Sequence, residues 1–303
     1  MNKFILRVCA LLLLLPFTVC MPLAFAEEPS FQIKAGDILC FGTPDEASGF
    51  DGKWLVLDPD HTNTGEDGIF VVSLNLVGND QGAPLLFRDI GDVTVSFADR
   101  GEAFAQDHPG SNDYQGSDIQ QWCAEFPAHF LRNGEQQALM PTAKSDSEIS
   151  IPASGMPTSN AANASVDFSA AESILNGDTI FLLSAEEITN EAYGFTDQNS
   201  RVALFKGAAA GYWLRSPHTP SFPLDVGFVF SFGAVMDFPV NAKFMYSMST
   251  YARPACNLDR TKIADVEELY TEESTTVWRI TFQGDTPNEQ AYDLSWPAQS
   301  NEH

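Results

Sequence analysis

Short apolar runs broken by glycine, aspartate and proline recur along the sequence and constrain it most. Runs of about four to eight such residues have the length of strands and fall short of most helices. "DILCFG" at Asp37 to Gly42, "KWLVLD" at Lys53 to Asp58 and "GIFVVSLNLVG" at Gly68 to Gly78 read as strands, with the polar loop "PDHTNTGEDG" between the last two. Further on, "GYWLRSP" begins another set and "DVGFVFSFGAVMDF" reads as a hairpin turning near Phe232 and Gly233. "YARPACNLD" closes that set, and "TTVWRITF" at Thr275 to Phe282 reads as an outer strand followed by a loose tail.

Helical signals are fewer. In "SDIQQWCAEFPAHFL", Ser117 and Gln120 form a capping box and Asp118 suits the positive helix end. Ile119, Trp122, Cys123, Phe126 and Phe130 follow at helical spacing, and Pro127 is expected to break or bend the helix. "DTIFLLSAEEI" reads as a strand entering a second helix capped by Ser184 and Glu187. Strands and helices are segregated rather than alternating, which predicts an α+β fold with two main helices and long loops.

The first 26 residues have the pattern of a secretory signal peptide. Lys3 and Arg7 precede the apolar core from Leu11 to Val19, and "AFA" at Ala24 to Ala26 supplies a small-residue cleavage site. No later run approaches the ~20 apolar residues of a membrane span. Cleavage removes two of 16 basic residues and leaves 14 against 41 acidic ones, moving the net charge from −25 to −27. Such a field opposes nucleic acid and anionic lipid and favours a solvated acidic surface. The expected organisation is a signal peptide at 1–26, one α+β domain at 27–262, and an extra strand with a loose tail at 263–303. The stretch near 145–169, rich in Ser, Ala, Asn and Pro, is expected to be an exposed insertion.

Chemistry-bearing motifs are sparse. No G-x-S-x-G occurs, and the five histidines are scattered, His218 being the best placed because it follows "WLRSP". Cys40, Cys123 and Cys256 survive cleavage, with no C-x-x-C pair to suggest zinc or redox chemistry. In an oxidising compartment three thiols allow one disulfide, and the spacing leaves all three pairings open. The loop "DPDHTNTGEDG" fails the EF-hand pattern, since Asn63 replaces the turn glycine and Ile69 the bidentate glutamate. A looser calcium loop through Asp58, Asp60, Glu66 and Asp67 is the one cofactor site left open; otherwise none is expected.

The order "KWLVLD", "SDIQQWCAEF", "IFLLSAEEI", "YWLRSP", "RPACNLD" resembles a family of mostly secreted Gram-positive bacterial domains, domain of unknown function 6273, over roughly Phe31 to Asp259. That family's motif order is in turn similar to the C-type lectin-like fold of lectins, formylglycine-generating enzymes and phage receptor-binding tips. The resemblance implies a mixed or antiparallel sheet core, with "YWLRSP" and "RPACNLD" as paired framework strands. It also implies a disulfide from the helix to the closing strand, here Cys123 to Cys256. Trp213, Arg215, Arg253 and Asp259 then belong to the framework, and Arg215 and Arg253 need acidic or carbonyl partners, Asp225, Asp237 and Asp259 being near in sequence.

The same resemblance places ligand contacts in the loops between those strands, at His218, Phe222, Phe238, Phe244, Tyr246, Met248 and Tyr251. Aromatic and methionine side chains serve interfaces as anchors. The two late cysteines of formylglycine-generating chemistry are missing, and 41 carboxylates make accidental acid pairs uninformative. The expectation is therefore a secreted, extracellular or surface-associated, non-catalytic binding or adhesion module with a protein or glycan partner. The alternatives are a carboxylate-based extracellular hydrolase or formylglycine-generating relative, and a structural envelope component.

Overall fold

A computed structural model describes residues 33–89, 112–152, 165–169, 174–218, 224–240, 249–286 and 292. The segment read as a signal peptide lies outside the described residues. Strand dominates: β1 (Ile38–Cys40), β2 (Lys53–Asp58), β3 (Ile69–Ser73), β4 (Thr142–Lys144), β5 (Ile149–Pro152), β6 (Ser165–Phe168), β7 (Leu175–Asp178) and β8 (Phe181–Leu182) precede β9 (Ala203–Phe205) and β10 (Ala208–Pro217). The chain continues through β11 (Asp225–Val229), β12 (Val235–Pro239), β13 (Thr250–Tyr251), β14 (Pro254–Leu258), β15 (Ile263–Glu272) and β16 (Thr275–Phe282). Among the described residues the α-helices are α1 (Asp118–Phe130), α2 (Asn133–Ala138) and α3 (Ala185–Ile188).

The expected α+β class with two main helices is overturned: the fold is β-rich, with several sheets. The capping box at Ser184 and Glu187 is made in both directions, yet it starts a helix of only four residues. Asn190 then caps a 3-10 turn at Glu191–Tyr193, which ends on left-handed Gly194, so helical propagation stops after one turn. Meanwhile, stretches read as loop or insertion add strand. β4 pairs with β7, and β5 with β6 inside the segment near 145–169. These sheets do not by themselves show a C-type lectin-like core.

A seven-stranded sheet has the order β15-β16-β1-β2-β3-β14-β8, antiparallel except where β1 runs parallel to β16. Thus the "outer" strand Thr275–Phe282 lies inside the sheet, and β15 forms the edge. α1 buries Ile119, Cys123, Phe126 and Phe130, the side at helical spacing, and Phe126 meets Trp54 of β2 edge-on at 6.0 Å. Its aromatic rings join a cluster in which Phe41 stacks on Trp54 at 4.9 Å and Phe50 meets Phe126 edge-on at 5.2 Å. Pro127 does not end α1. The helix runs on to Phe130, and the Pro127 carbonyl accepts from the capping Leu131 N–H at 3.0 Å.

The second sheet runs β12-β11-β10-β13, with β9 also paired to β10. β11 and β12 form the expected hairpin. Phe230 pairs with Ala234 around a three-residue loop in which Gly233 takes the left-handed conformation at φ 83°. β9 turns into β10 through Lys206 and Gly207, both at positive φ, the geometry of a two-residue hairpin turn. Trp213 anchors this sheet among Phe87, Phe228 and Phe238, and its indole N–H donates to the Leu85 carbonyl at 2.8 Å.

After β16 the described residues are 283–286 and Tyr292, and the rest of the expected loose tail lies outside the described residues. Asp285 accepts from the Gly134 and Glu135 N–H groups at 3.0 and 3.2 Å, Arg132 donates to the Thr286 carbonyl, and Tyr292 is buried against Gly42. None of the described helices is long and apolar enough to cross a membrane.

Candidate functional site

Two places repay attention: a buried ionic cluster around Arg215 and an open cleft at the start of the same strand. β10 begins exposed at Ala208 and Ala209 and becomes fully buried from Gly211 onward. Arg215 sits in that buried half at 0% exposure, held by Asp146 after β4, the Leu182 carbonyl of β8 and Glu187 of α3. Its Nε and Nη2 donate to the two oxygens of Asp146 at 3.1 and 2.7 Å, a bidentate pair. Nη1 donates to Glu187 Oε2 and to the Leu182 carbonyl, both at 2.6 Å.

Glu187 uses its full acceptor capacity. Oε2 also takes the Ser184 N–H at 2.9 Å, and Oε1 takes Lys144 Nζ and Asn63 Nδ2, each at 2.7 Å. The network extends through Asn257, whose Nδ2 donates to Asn63 Oδ1 at 2.6 Å and Thr142 Oγ1 at 2.7 Å. Burial would drive the Glu187 carboxyl upward, but the guanidinium of Arg215 and then the ammonium of Lys144 outweigh it and hold it well below the usual carboxylate range. Burial likewise opposes the charges of Arg215 and Lys144, and their acidic partners more than restore both.

Two buried acids therefore converge here, but on a guanidinium, and neither lines the cleft over β10. Glu187 is not poised as a proton donor: a carboxyl held ionised by two cations lacks the raised pKa of a general acid. The partners of Arg215 are Asp146 and Glu187, whereas the sequence pointed to Asp225, Asp237 and Asp259. Asp146 is buried although it belongs to the stretch expected to be an exposed insertion. Asp259 caps the turn Arg260–Lys262 by accepting from Thr261. Arg253 donates to the Ser73 carbonyl at 3.0 Å and to the Tyr212 hydroxyl at 3.3 Å, close to the rings of Tyr212 and Phe195.

The Cys123 to Cys256 bridge is not made. Cys123 lies on α1 beside the buried Tyr114 hydroxyl, Cys256 lies in β14 opposite Val71 of β3, and all three described cysteines are buried free thiols. Burial pushes the Cys40 and Cys123 thiols up to about 12, and Cys256 higher still. In the candidate calcium loop, Asp58 Oδ1 accepts from the Asp60 and His61 N–H groups, and Asp60 pairs with Arg260 at 3.1 Å. Among the described residues no three His, Cys, Asp or Glu side chains are grouped to hold a metal ion.

Of the residues expected to contact a ligand, Phe222, Phe244, Tyr246 and Met248 lie outside the described residues. Phe238 is buried against Phe228, and His218 packs beside Phe168, its N–H donating to the Asp225 carbonyl. Of the three that are described, Tyr251 lines the open cleft of 320 Å³. Ala208 to Gly211 form the floor, Phe205 and Tyr251 a wall, and Ser231 and Ser249 complete the lining. Phe205 stacks on Tyr251 at 3.9 Å and 15°.

Register explains the grouping. Phe205 lies opposite Ala208, and Tyr251 opposite Tyr212, so both stand on the face of β10 that carries Ala208 and Ala210. The sequence held one unused sign of this site. "GAAAG" at Gly207 to Gly211, ahead of "YWLRSP", is a strand start without bulk, where a ligand can approach the backbone.

In comparison with known proteins, no curated protein and no solved structure matches the chain. A family model described as Domain of unknown function (DUF6273) matches residues 81–260. The match contains the Arg215 cluster apart from Asn63, and it contains every residue lining the cleft. Because it spans more than half of the chain, the protein belongs to the DUF6273 domain family.

Proposed function

We propose that the protein is a secreted, non-catalytic binding module of the bacterial surface, which holds an extracellular protein or glycan in the cleft over β10. The observation that carries this reading is the cleft itself: small side chains floor it, a stacked Phe205–Tyr251 pair walls it, and the described residues that line it include no carboxylate, histidine or cysteine. Such a place suits binding by shape and short polar contacts. The buried acids Asp146 and Glu187 do something else, locking Arg215 in the framework. Export is supported by the sequence pattern of residues 1–26.

Protein beginning at Glu27 and purified from the culture medium is the material for the test. It is applied to extracellular protein and glycan arrays beside Ala210→Leu, which fills the cleft from a half-exposed position. The reading expects a bound partner whose signal falls at least tenfold with Ala210→Leu and is unchanged by a chelator, since no cofactor takes part. Turnover of a glycoside, ester or peptide substrate, abolished by one point substitution, sinks it.

A further inference from the structure

Resting on the binding-module reading, we infer that the cleft over β10 takes an uncharged saccharide. The chemistry of the lining decides the class. Among the described residues every side chain that lines the cleft is uncharged, so a phosphate, sulfate or carboxylate seated against them would surrender its hydration with no counter-charge from the lining. Lys206 Nζ stands outside it, 5.3 Å from the centre of the Phe205 ring. The net charge of −25 further opposes anions at long range. A cationic ligand would be drawn toward the molecule but would find no carboxylate in the cleft.

Geometry then separates a sugar from a peptide. An extended peptide adds to a sheet through a free strand edge. Here the cleft opens over the face of β10, while β9 pairs with Ala208 to Ala210 and β13 with Gly211 and Tyr212. A ligand on that face meets the Ala208 and Ala210 methyls and the Phe205–Tyr251 pair. It meets the hydroxyls of Ser231 and Ser249 on either flank. Flat apolar surface bordered by hydroxyls complements a pyranose, which has apolar C–H faces and a rim of hydroxyl groups that both donate and accept. Ser249 is exposed and Ser231 half-buried, so their hydroxyls remain free to turn toward such a rim. The volume of 320 Å³ suits a ligand, or the end of a longer glycan, at the small end of ordinary sites.

The test uses the mature protein on an array of neutral glycans ending in glucose, galactose, mannose or N-acetylhexosamine, with sialylated and sulfated glycans and a peptide array as controls. Titration calorimetry with the best neutral disaccharide follows. Ser249→Ala and Tyr251→Phe are expected to weaken binding by about three- to tenfold each, the worth of one hydrogen bond, and Ala210→Leu to abolish it. Thermal melts of each variant confirm folding, and Ser249→Ala, at an exposed site, keeps the test informative if a bulkier change unfolds the chain.

Binding confined to charged glycans overturns the inference, as does neutral-glycan binding indifferent to all three variants. A peptide or protein bound in place of neutral glycans, and lost with Ala210→Leu, overturns the saccharide assignment and leaves the binding-module reading standing. No ligand of any class sensitive to Ala210→Leu overturns both.

Discussion

Arg215 shows how one buried charge organises its surroundings. Its guanidinium is held by two carboxylates and a backbone carbonyl, so truncation leaves Asp146 and Glu187 as buried anions with the Lys144 ammonium beside them. Removing one partner of such a buried pair costs about 3–5 kcal/mol. Arg215→Ala is accordingly expected to lose most of its stability to urea, whereas Ser249→Ala, at the exposed cleft, should melt with the parent. Glu187 sets the pH dependence. Its folded pKa lies below the ordinary value of 4.5, so its contribution is complete above that pH and shrinks as the pH falls through the lowered folded value. Urea midpoints of the parent and Glu187→Gln should therefore differ by a constant amount from neutral pH down to about 5 and converge in stronger acid. A gap that widened in acid would reverse the assigned sign. The thiols offer a third check: Cys40, Cys123 and Cys256 should resist iodoacetamide in the native protein and react fully in guanidinium without a reductant, because burial keeps them protonated and covered.

Strands and turns divide the labour within single elements. β10 is the clearest case, its small, exposed first residues flooring the cleft and its buried remainder carrying Trp213 and Arg215. The hairpins on either side depend on glycine for different reasons. Gly207 needs a positive φ of 83° but a Cβ there meets nothing within 4 Å. Gly233 has the same φ, and a Cβ would fall 1.7 Å from the Gln198 carbonyl oxygen. Gly207→Ala should cost about 1–2 kcal/mol, the strain of the left-handed conformation alone. Gly233→Ala adds a backbone collision and should lower the denaturation midpoint distinctly further. Equal losses would mean that the β11–β12 loop moves freely away from Gln198.

The family match ends where the sheet does not. β14, inside residues 81–260, pairs with β3, which lies before the match, and the sheet continues through β2, β1 and β16 on both sides of it. Asn257 in β14 also bonds Asn63, and Asp285 caps α2 from beyond the matched segment. The folding unit is thus wider than the family signature. A fragment of residues 81–260 should give broad, poorly dispersed amide signals and aggregate through the bare edge of β14, whereas residues 33–303 should fold. A well-dispersed spectrum from the short fragment would show that the flanking strands are accessory.

By itself the sequence determined what depends on neighbours a few residues apart. The strands of "KWLVLD", "IFVVS" and "YWLRSP", the Ser117 cap, the turn at Phe232 and Gly233, and the charge all follow from local periodicity and side-chain chemistry. Local signals also misled: a good capping box at Ser184 begins a single turn, because the chain beyond it, not the cap, decides how far a helix runs. Tertiary structure alone decided the rest. Asp146 and Glu187 reach Arg215 across 69 and 28 residues, and the Asp225, Asp237 and Asp259 favoured by sequence proximity do not form its bidentate pair. The cleft likewise joins Phe205 to Tyr251, and its two serines flank a strand distant from both in sequence. Periodicity says which face of a strand is apolar, but which strands lie side by side is fixed only when the whole chain buries those faces together and finds a partner for every buried charge.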